Sequence, residues 1–231
     1  TAKSEFITKE NVNSVLGESN FDKNLGLLSI DVDGNDYWIW EQIKDIDPSI
    51  VVIEYNSRFG KEKSYVVPYE KNFQRLKKHY SGIYYGASLK ALIKLAIKKG
   101  YSFITCNSAG NNAFFVKKDL LNDKVKENNL EKGFVINKFR ESRTKEGNLA
   151  YLSKIEEQKI IFSLPLTEVW LKILITGVFG FIGQSLYQSL KHKYDVKGIG
   201  RDKKISKIKK NNNLLDNNIT NQNLIKLNFQ P

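Results

Sequence analysis

The stretch Lys172-Ile173-Leu174-Ile175-Thr176-Gly177-Val178-Phe179-Gly180-Phe181-Ile182-Gly183-Gln184-Ser185-Leu186 decides the fold of the last part of the chain. Its apolar start predicts a buried strand, and three glycines spaced three apart then lead into a predicted helix over 180–192. Gly177 permits a tight strand-to-helix turn, Gly180 lets the backbone approach a pyrophosphate, and Gly183 lets the helix pack closely on the sheet. Because the helix N-terminus favours anions, this stretch predicts a dinucleotide-binding site.

A second strand is predicted over 195–200, and it runs into Arg201 and Asp202. This is about the position at which such sites contact the adenosine ribose. An acid there accepts a hydrogen bond from the 2′-hydroxyl of NAD, whereas an arginine accommodates the 2′-phosphate of NADP. Since both residue types are present, the sequence leaves the choice between NAD and NADP open.

These residues resemble the opening unit of the extended short-chain dehydrogenase/reductase family, the NAD-dependent epimerases and dehydratases that act on nucleotide sugars. The stretch 175–183 is similar to that family's opening almost residue for residue. The resemblance implies a nucleotide-sugar substrate, and it implies cofactor contacts at Gly177, Phe179, Gly180, Phe181, Ile182, Gly183, Arg201 and Asp202.

The family's chemistry also requires a Tyr, a Lys four residues later, and a Ser or Thr, all well downstream of the glycines. The chain ends before that region, so the resemblance implies cofactor binding without oxidoreductase turnover. Tyr187 and Lys191 have the required spacing, but they fall on the first helix, and we interpret the spacing as chance. The chain contains no Met and opens at Thr1, which favours a fragment of a longer reading frame.

Two apolar runs, 25–31 and 50–55, are typical of strands buried on both faces of a parallel sheet. A helix is predicted between them over 36–44, because the Asp47-Pro48 pair then breaks the helical pattern. The first part of the chain therefore predicts an α/β fold with a mostly parallel sheet.

An amphipathic helix is predicted over 87–99, and two strands, 101–106 and 112–117, follow it. The turn between these strands is so short that they must be antiparallel, which predicts a terminal antiparallel hairpin. The character of the sequence changes near Leu171. We therefore expect a first unit over 1–168 and a second, partial Rossmann β-α-β unit over 171–231.

Both predicted parallel strands end in acidic residues: Asp31 and Asp33 follow the first strand, and Glu54 ends the second. Open α/β sheets bind ligands at the carboxyl ends of their strands, so these three are candidate catalytic residues. They also suit helix N-caps and turns, and the sequence leaves both interpretations open. An EF-hand is not expected, because Asp36 stands where Gly is needed and Gln42 where Glu is needed. No metal site is predicted.

The first unit resembles the C-terminal half of class I methyltransferases that use S-adenosylmethionine, most closely the FkbM-type group. The stretch 28–34 is similar to that group's strand and acidic turn, and 50–54 is similar to its next strand. The resemblance implies S-adenosylmethionine as cofactor and a sugar or related small acceptor. The family's glycine-rich first loop has no counterpart in this sequence. Both resemblances are thus to enzymes, and together they imply a role in surface-polysaccharide biosynthesis, although both units look incomplete.

Composition bears on partners and location. The net charge of +12 raises the alternative of a basic, nucleic-acid-associated protein, but the excess is scattered Lys, and the run 203–210 suits a solvated helix better. The sequence has no apolar run of the roughly 20 residues that span a membrane, and it opens with no signal segment. The single cysteine, Cys106, excludes an internal disulfide. A cytoplasmic protein with no membrane partner is predicted.

Overall fold

The structure is a computed structural model that describes residues 2–19, 23–139, 141–192 and 194–200. The chain divides into two compact units, Thr1–Val169 and Trp170–Pro231. No helix in the described part of the chain combines the length and apolar character needed to cross a membrane.

The first unit combines short helices with short strands. Its strands are β1 (Leu27–Ile30), β2 (Ile50–Glu54), β3 (Tyr65–Val66), β4 (Tyr101–Cys106), β5 (Asn112–Lys117) and β6 (Thr167–Glu168). Its helices are α1 (Val12–Gly17), α2 (Asp36–Gln42), α3 (Arg75–Lys78), α4 (Leu89–Lys98), α5 (Leu130–Gly133) and α6 (Lys154–Phe162). Single 3₁₀ turns lie at Ser57–Phe59 and Lys118–Leu120.

The main sheet of the first unit has the strand order β1-β2-β5-β4. β1 and β2 are parallel, with Ile30 opposite Ile53, and β5 is antiparallel to both of its neighbours. The α/β class and the terminal antiparallel hairpin are therefore confirmed. The prediction of a mostly parallel sheet is wrong for this unit. The hairpin strands β4 and β5 pair antiparallel with each other, and β5 also pairs antiparallel with β2. The described sheet is mixed and mostly antiparallel.

Helices α2 and α4 contact each other and cover the sheet. Trp40 of α2 lies against Phe115 of β5 with ring centroids 5.1 Å apart, and Leu92 of α4 is fully buried in the same core. Burying a side chain of this size contributes about 1.5–3 kcal/mol. The packing of α2 onto β1 places the start of α2 beside the end of that strand.

Helix α4 has clear start and stop signals. The Ser88 hydroxyl accepts a hydrogen bond from the Ala91 N–H at 3.2 Å, which satisfies a free donor of the first turn. Gly100 follows the helix with φ +82°, a left-handed conformation that glycine adopts at low cost. The helix predicted over 87–99 is confirmed, with slightly tighter bounds.

The second unit contains β7 (Lys172–Thr176), α7 (Phe181–Leu190) and β8 (Asp195–Ile199). β7 and β8 are parallel, with Leu174 opposite Lys197, so these elements form a β-α-β arrangement. A small core between the helix and the strands consists of Ile175, Val178, Tyr187 and Val196.

Candidate functional site

The first candidate site lies at the carboxyl ends of β1 and β2. Because these strands are parallel, Asp31, which follows β1, and Glu54, the last residue of β2, share one edge of the sheet. Helix α2 begins at Asp36 beside them. One carboxylate oxygen from each of Asp31, Asp36 and Glu54 lies within 4.8 Å of the others. We call these three residues the acidic cluster.

The turn between β1 and α2 is wrapped around the Asp36 carboxylate. The N–H of Val32 donates to Asp36 Oδ1 at 3.0 Å, and the N–H of Gly34 donates to Asp36 Oδ2 at 2.9 Å. Gly34 has φ +143°, and a Cβ there would overlap the Phe73 ring, so the turn requires glycine. Asp36 was not predicted as a site residue, because an acid at a helix start also suits the first helical turn.

Asp33 lies in the same turn but is not part of the acidic cluster. It is exposed and adopts φ +54°, a left-handed conformation that Asp tolerates better than most residues. Of the sequence-predicted acids, the structure brings Asp31 and Glu54 together and leaves Asp33 outside.

Burial sets the electrostatics of the acidic cluster. Burial, followed by the charges of Asp36 and Asp31, raises the pKa of Glu54 to about 8. Burial also raises the pKa of Asp36 to about 6, opposed by the N–H groups that bond its carboxylate. At neutral pH the raised pKa favours the protonated form of Glu54. A carboxylic acid held protonated near pH 7 is chemically suited to proton transfer.

The second candidate site is the glycine turn, which we define as residues 177–183. Gly177 has φ +71°, and its N–H donates to the Ile199 carbonyl of β8 at 2.7 Å. The Gly180 N–H then donates to the Gly177 carbonyl at 2.9 Å, so the chain turns tightly out of β7. A Cβ on Gly183 would overlap the Gly177 carbonyl and lie 2.7 Å from the Val178 Cα. Only glycine lets α7 approach the turn this closely.

Helix α7 begins directly after Gly180, which is its N-cap. Phe181 and Ile182, in the first helical turn, are 92% and 73% exposed. A cavity of about 390 Å³ adjoins the turn and is lined partly by Phe179 and Tyr187. The first N–H groups of an α-helix have no partner within the helix, so this end of α7 presents donors suited to an anion.

The predicted cofactor contacts also include Phe179, Arg201 and Asp202. Phe179 is half-buried and packs across Gly200, where a Cβ would overlap its ring. Arg201 and Asp202 lie outside the described residues.

Comparisons of the chain with protein-family models, with curated proteins and with solved structures found no match.

Proposed function

We propose that the second unit binds the pyrophosphate of NAD or NADP at the glycine turn. In this proposal the second unit is the N-terminal part of an NAD-dependent epimerase/dehydratase. Such an enzyme would act on a nucleotide sugar in surface-polysaccharide biosynthesis. The observation that carries it is the conjunction of a strand, a turn with a left-handed backbone at Gly177 and no room for a side chain at Gly183, and a helix whose N-terminus follows at once.

The turn contains more glycines than a structural strand-to-helix turn requires, and this favours dinucleotide binding. A strand-to-helix turn needs one glycine with positive φ, which Gly177 supplies. Gly180 has φ −76°, so its backbone conformation does not demand glycine, and a Cβ there would lie 3.3 Å from the Gly177 carbonyl oxygen, a tight but not overlapping contact. A residue without a side chain at the N-cap instead leaves the helix end open to a bulky anion.

The test is calorimetric titration of the full chain with NAD and with NADP, comparing Gly180→Asp with Gly180→Asn. Both side chains are good N-caps, so both variants should keep α7 folded. They have nearly the same size, and only Asp carries a charge that repels the pyrophosphate. Circular dichroism establishes that the two variants fold alike.

We expect the unmodified chain to bind one of the dinucleotides saturably and Gly180→Asp to lose that binding. Gly180→Asn should bind more tightly than Gly180→Asp, because it retains the bulk without the charge. Absence of binding to either dinucleotide by the folded chain would overturn the proposal, as would equal binding by the unmodified chain and Gly180→Asp.

A second candidate function is methyl transfer from S-adenosylmethionine to a sugar or related acceptor by the first unit. The observation that favours it is that Asp31 and Glu54 meet at the carboxyl ends of adjacent parallel strands, where open α/β sheets bind ligands. Titration with S-adenosylmethionine tests it. Binding weakened in Asp31→Asn supports the candidate, and no binding by the folded chain removes it.

A further inference from the structure

We propose that the acidic cluster, Asp31, Asp36 and Glu54, binds one divalent cation through its carboxylate oxygens. This inference concerns the first unit and is independent of dinucleotide binding by the glycine turn.

The geometry of the acidic cluster fits a single ion. One oxygen from each residue lies within 4.8 Å of the other two. Oxygens that bind Ca²⁺ lie 2.3–2.6 Å from it, so two oxygens on opposite sides of one such ion are roughly 5 Å apart, and neighbouring ones are closer. Three separate elements, namely the end of β1, the start of α2 and the end of β2, converge to supply these oxygens.

An unpartnered oxygen of Glu54 is the second, independent observation. Glu54 is only 9% exposed, and its Oε2 atom is buried without a hydrogen-bond partner in the described structure. A buried carboxylate oxygen without a partner is costly, because it has lost water and gained nothing in exchange. The same carboxylate supplies an oxygen to the acidic cluster, and a cation there would compensate for the lost solvation.

Arg75, whose positive charge opposes the rise in the pKa of Glu54, is engaged in other contacts. Arg75 stacks on the Tyr85 ring, with its guanidinium carbon 3.7 Å from the ring centroid, and its Nε donates to the Gly82 carbonyl. Among the ion pairs of the described residues, none joins Arg75 to Glu54. Within the described part of the chain, no salt bridge neutralises the negative charge of the acidic cluster.

The donor set selects the class of cation. All three ligands are carboxylates, and hard oxygen donors suit Mg²⁺, Mn²⁺ and Ca²⁺ rather than Cu⁺ or a zinc site of cysteines and histidines. Asp31 is exposed, so one side of the acidic cluster opens to solvent. Water or an oxygen of a ligand would complete the coordination from that side.

The experiment is a titration of the EDTA-treated full chain with Mn²⁺, in which electron paramagnetic resonance measures the free ion. The variants are Asp31→Asn, which changes an exposed residue and leaves the core intact, and Glu54→Gln, which keeps the shape of the buried side chain. The charge-matched control is Asp45→Asn, an exposed acid in the loop that precedes β2. Competition with Mg²⁺ and Ca²⁺ ranks the ions.

We expect saturable binding of one Mn²⁺ by the unmodified chain and by Asp45→Asn. Asp31→Asn and Glu54→Gln should each weaken it roughly 10-fold or more, since even indirect support of a metal ligand is worth about that much. The proposal is overturned if the folded chain shows no saturable Mn²⁺ binding. It is equally overturned if Asp31→Asn binds Mn²⁺ as tightly as the control does. This second criterion can be applied even if Glu54→Gln fails to fold.

Discussion

The charge on Glu54 should make the first unit less stable as the pH rises. Burial holds the pKa of Glu54 at about 8, against 4.5 in an unfolded chain. Between these two values the folded chain binds more protons than the unfolded chain, so the free energy of unfolding falls with increasing pH. The contribution is fully present below pH 4.5 and is lost as the pH passes through about 8.

The size of this effect follows from the same two pKa values. One pKa unit corresponds to about 1.4 kcal/mol, so raising the pH from 5.5 to 8.5 should cost the folded chain about 3 kcal/mol at this residue. Glu54→Gln has no proton to lose and should escape the cost. Its stability relative to the unmodified chain should therefore improve by about that amount over the interval.

The assay is urea unfolding in EDTA at several pH values, followed by tryptophan fluorescence. Two of the three tryptophans, Trp38 and Trp40, lie on α2, which begins at Asp36 of the acidic cluster, and report on the first unit. Glu62→Gln, an exposed acid, is the matched control and should run parallel to the unmodified chain. If the stability gap between Glu54→Gln and the unmodified chain does not widen with pH, Glu54 is not a buried, proton-holding group.

Three further predictions test other contacts. Gly183→Ala should unfold α7 and abolish dinucleotide binding, because the new Cβ would lie 2.7 Å from the Val178 Cα; circular dichroism and titration unchanged from the unmodified chain would contradict this. Glu157→Gln breaks the buried ion pair with Arg58, whose atoms lie 2.8 Å apart, and should cost about 3–5 kcal/mol in urea unfolding. A loss below about 1 kcal/mol, as for an exposed pair, would show the pair to be solvated. Burial lowers the pKa of Lys99 to about 8, so the folded chain binds fewer protons than the unfolded chain between pH 8 and 10.5, and stability should rise with pH there. Lys99→Met should flatten that rise, and parallel pH curves would refute the assignment.

Local pattern was sufficient to predict the elements with strong periodicity. The hairpin strands lie where expected, at Tyr101–Cys106 and Asn112–Lys117, because a short turn between apolar runs permits little else. The pairing partner of the hairpin was not predictable in this way. Strand order depends on which faces and edges are buried in three dimensions, and the sequence carries no direct record that β5 lies beside β2.

In the segment 69–80, the local pattern itself predicts the wrong secondary structure. The sequence of 69–80 looks helical along its whole length, but the structure forms only Arg75–Lys78 as helix. The buried side chains of Phe73 and Ile83 join a core cluster separate from the main one, so packing rather than periodicity sets the chain's path there. Local helical preference was overridden by these tertiary contacts.

The candidate sites were predictable to different extents. The glycine turn is local in sequence, so its conformation could be anticipated from Gly177, Gly180 and Gly183 alone. The acidic cluster joins residues from three elements, and only the parallel alignment of β1 and β2 brings them together. Asp36 was not predicted as a site residue because an acid is common at the start of an ordinary helix, and the sequence does not show that it lies beside Glu54.

The most direct test of the central claim is nuclear magnetic resonance of the chain labelled with ¹⁵N at its 15 glycines, titrated with NAD and NADP. Binding at the glycine turn predicts shifts in the amide signals of Gly177, Gly180 and Gly183, while those of Gly34 and Gly110 in the first unit stay in place. Signals that do not move with either dinucleotide, or that move only in the first unit, would contradict the account.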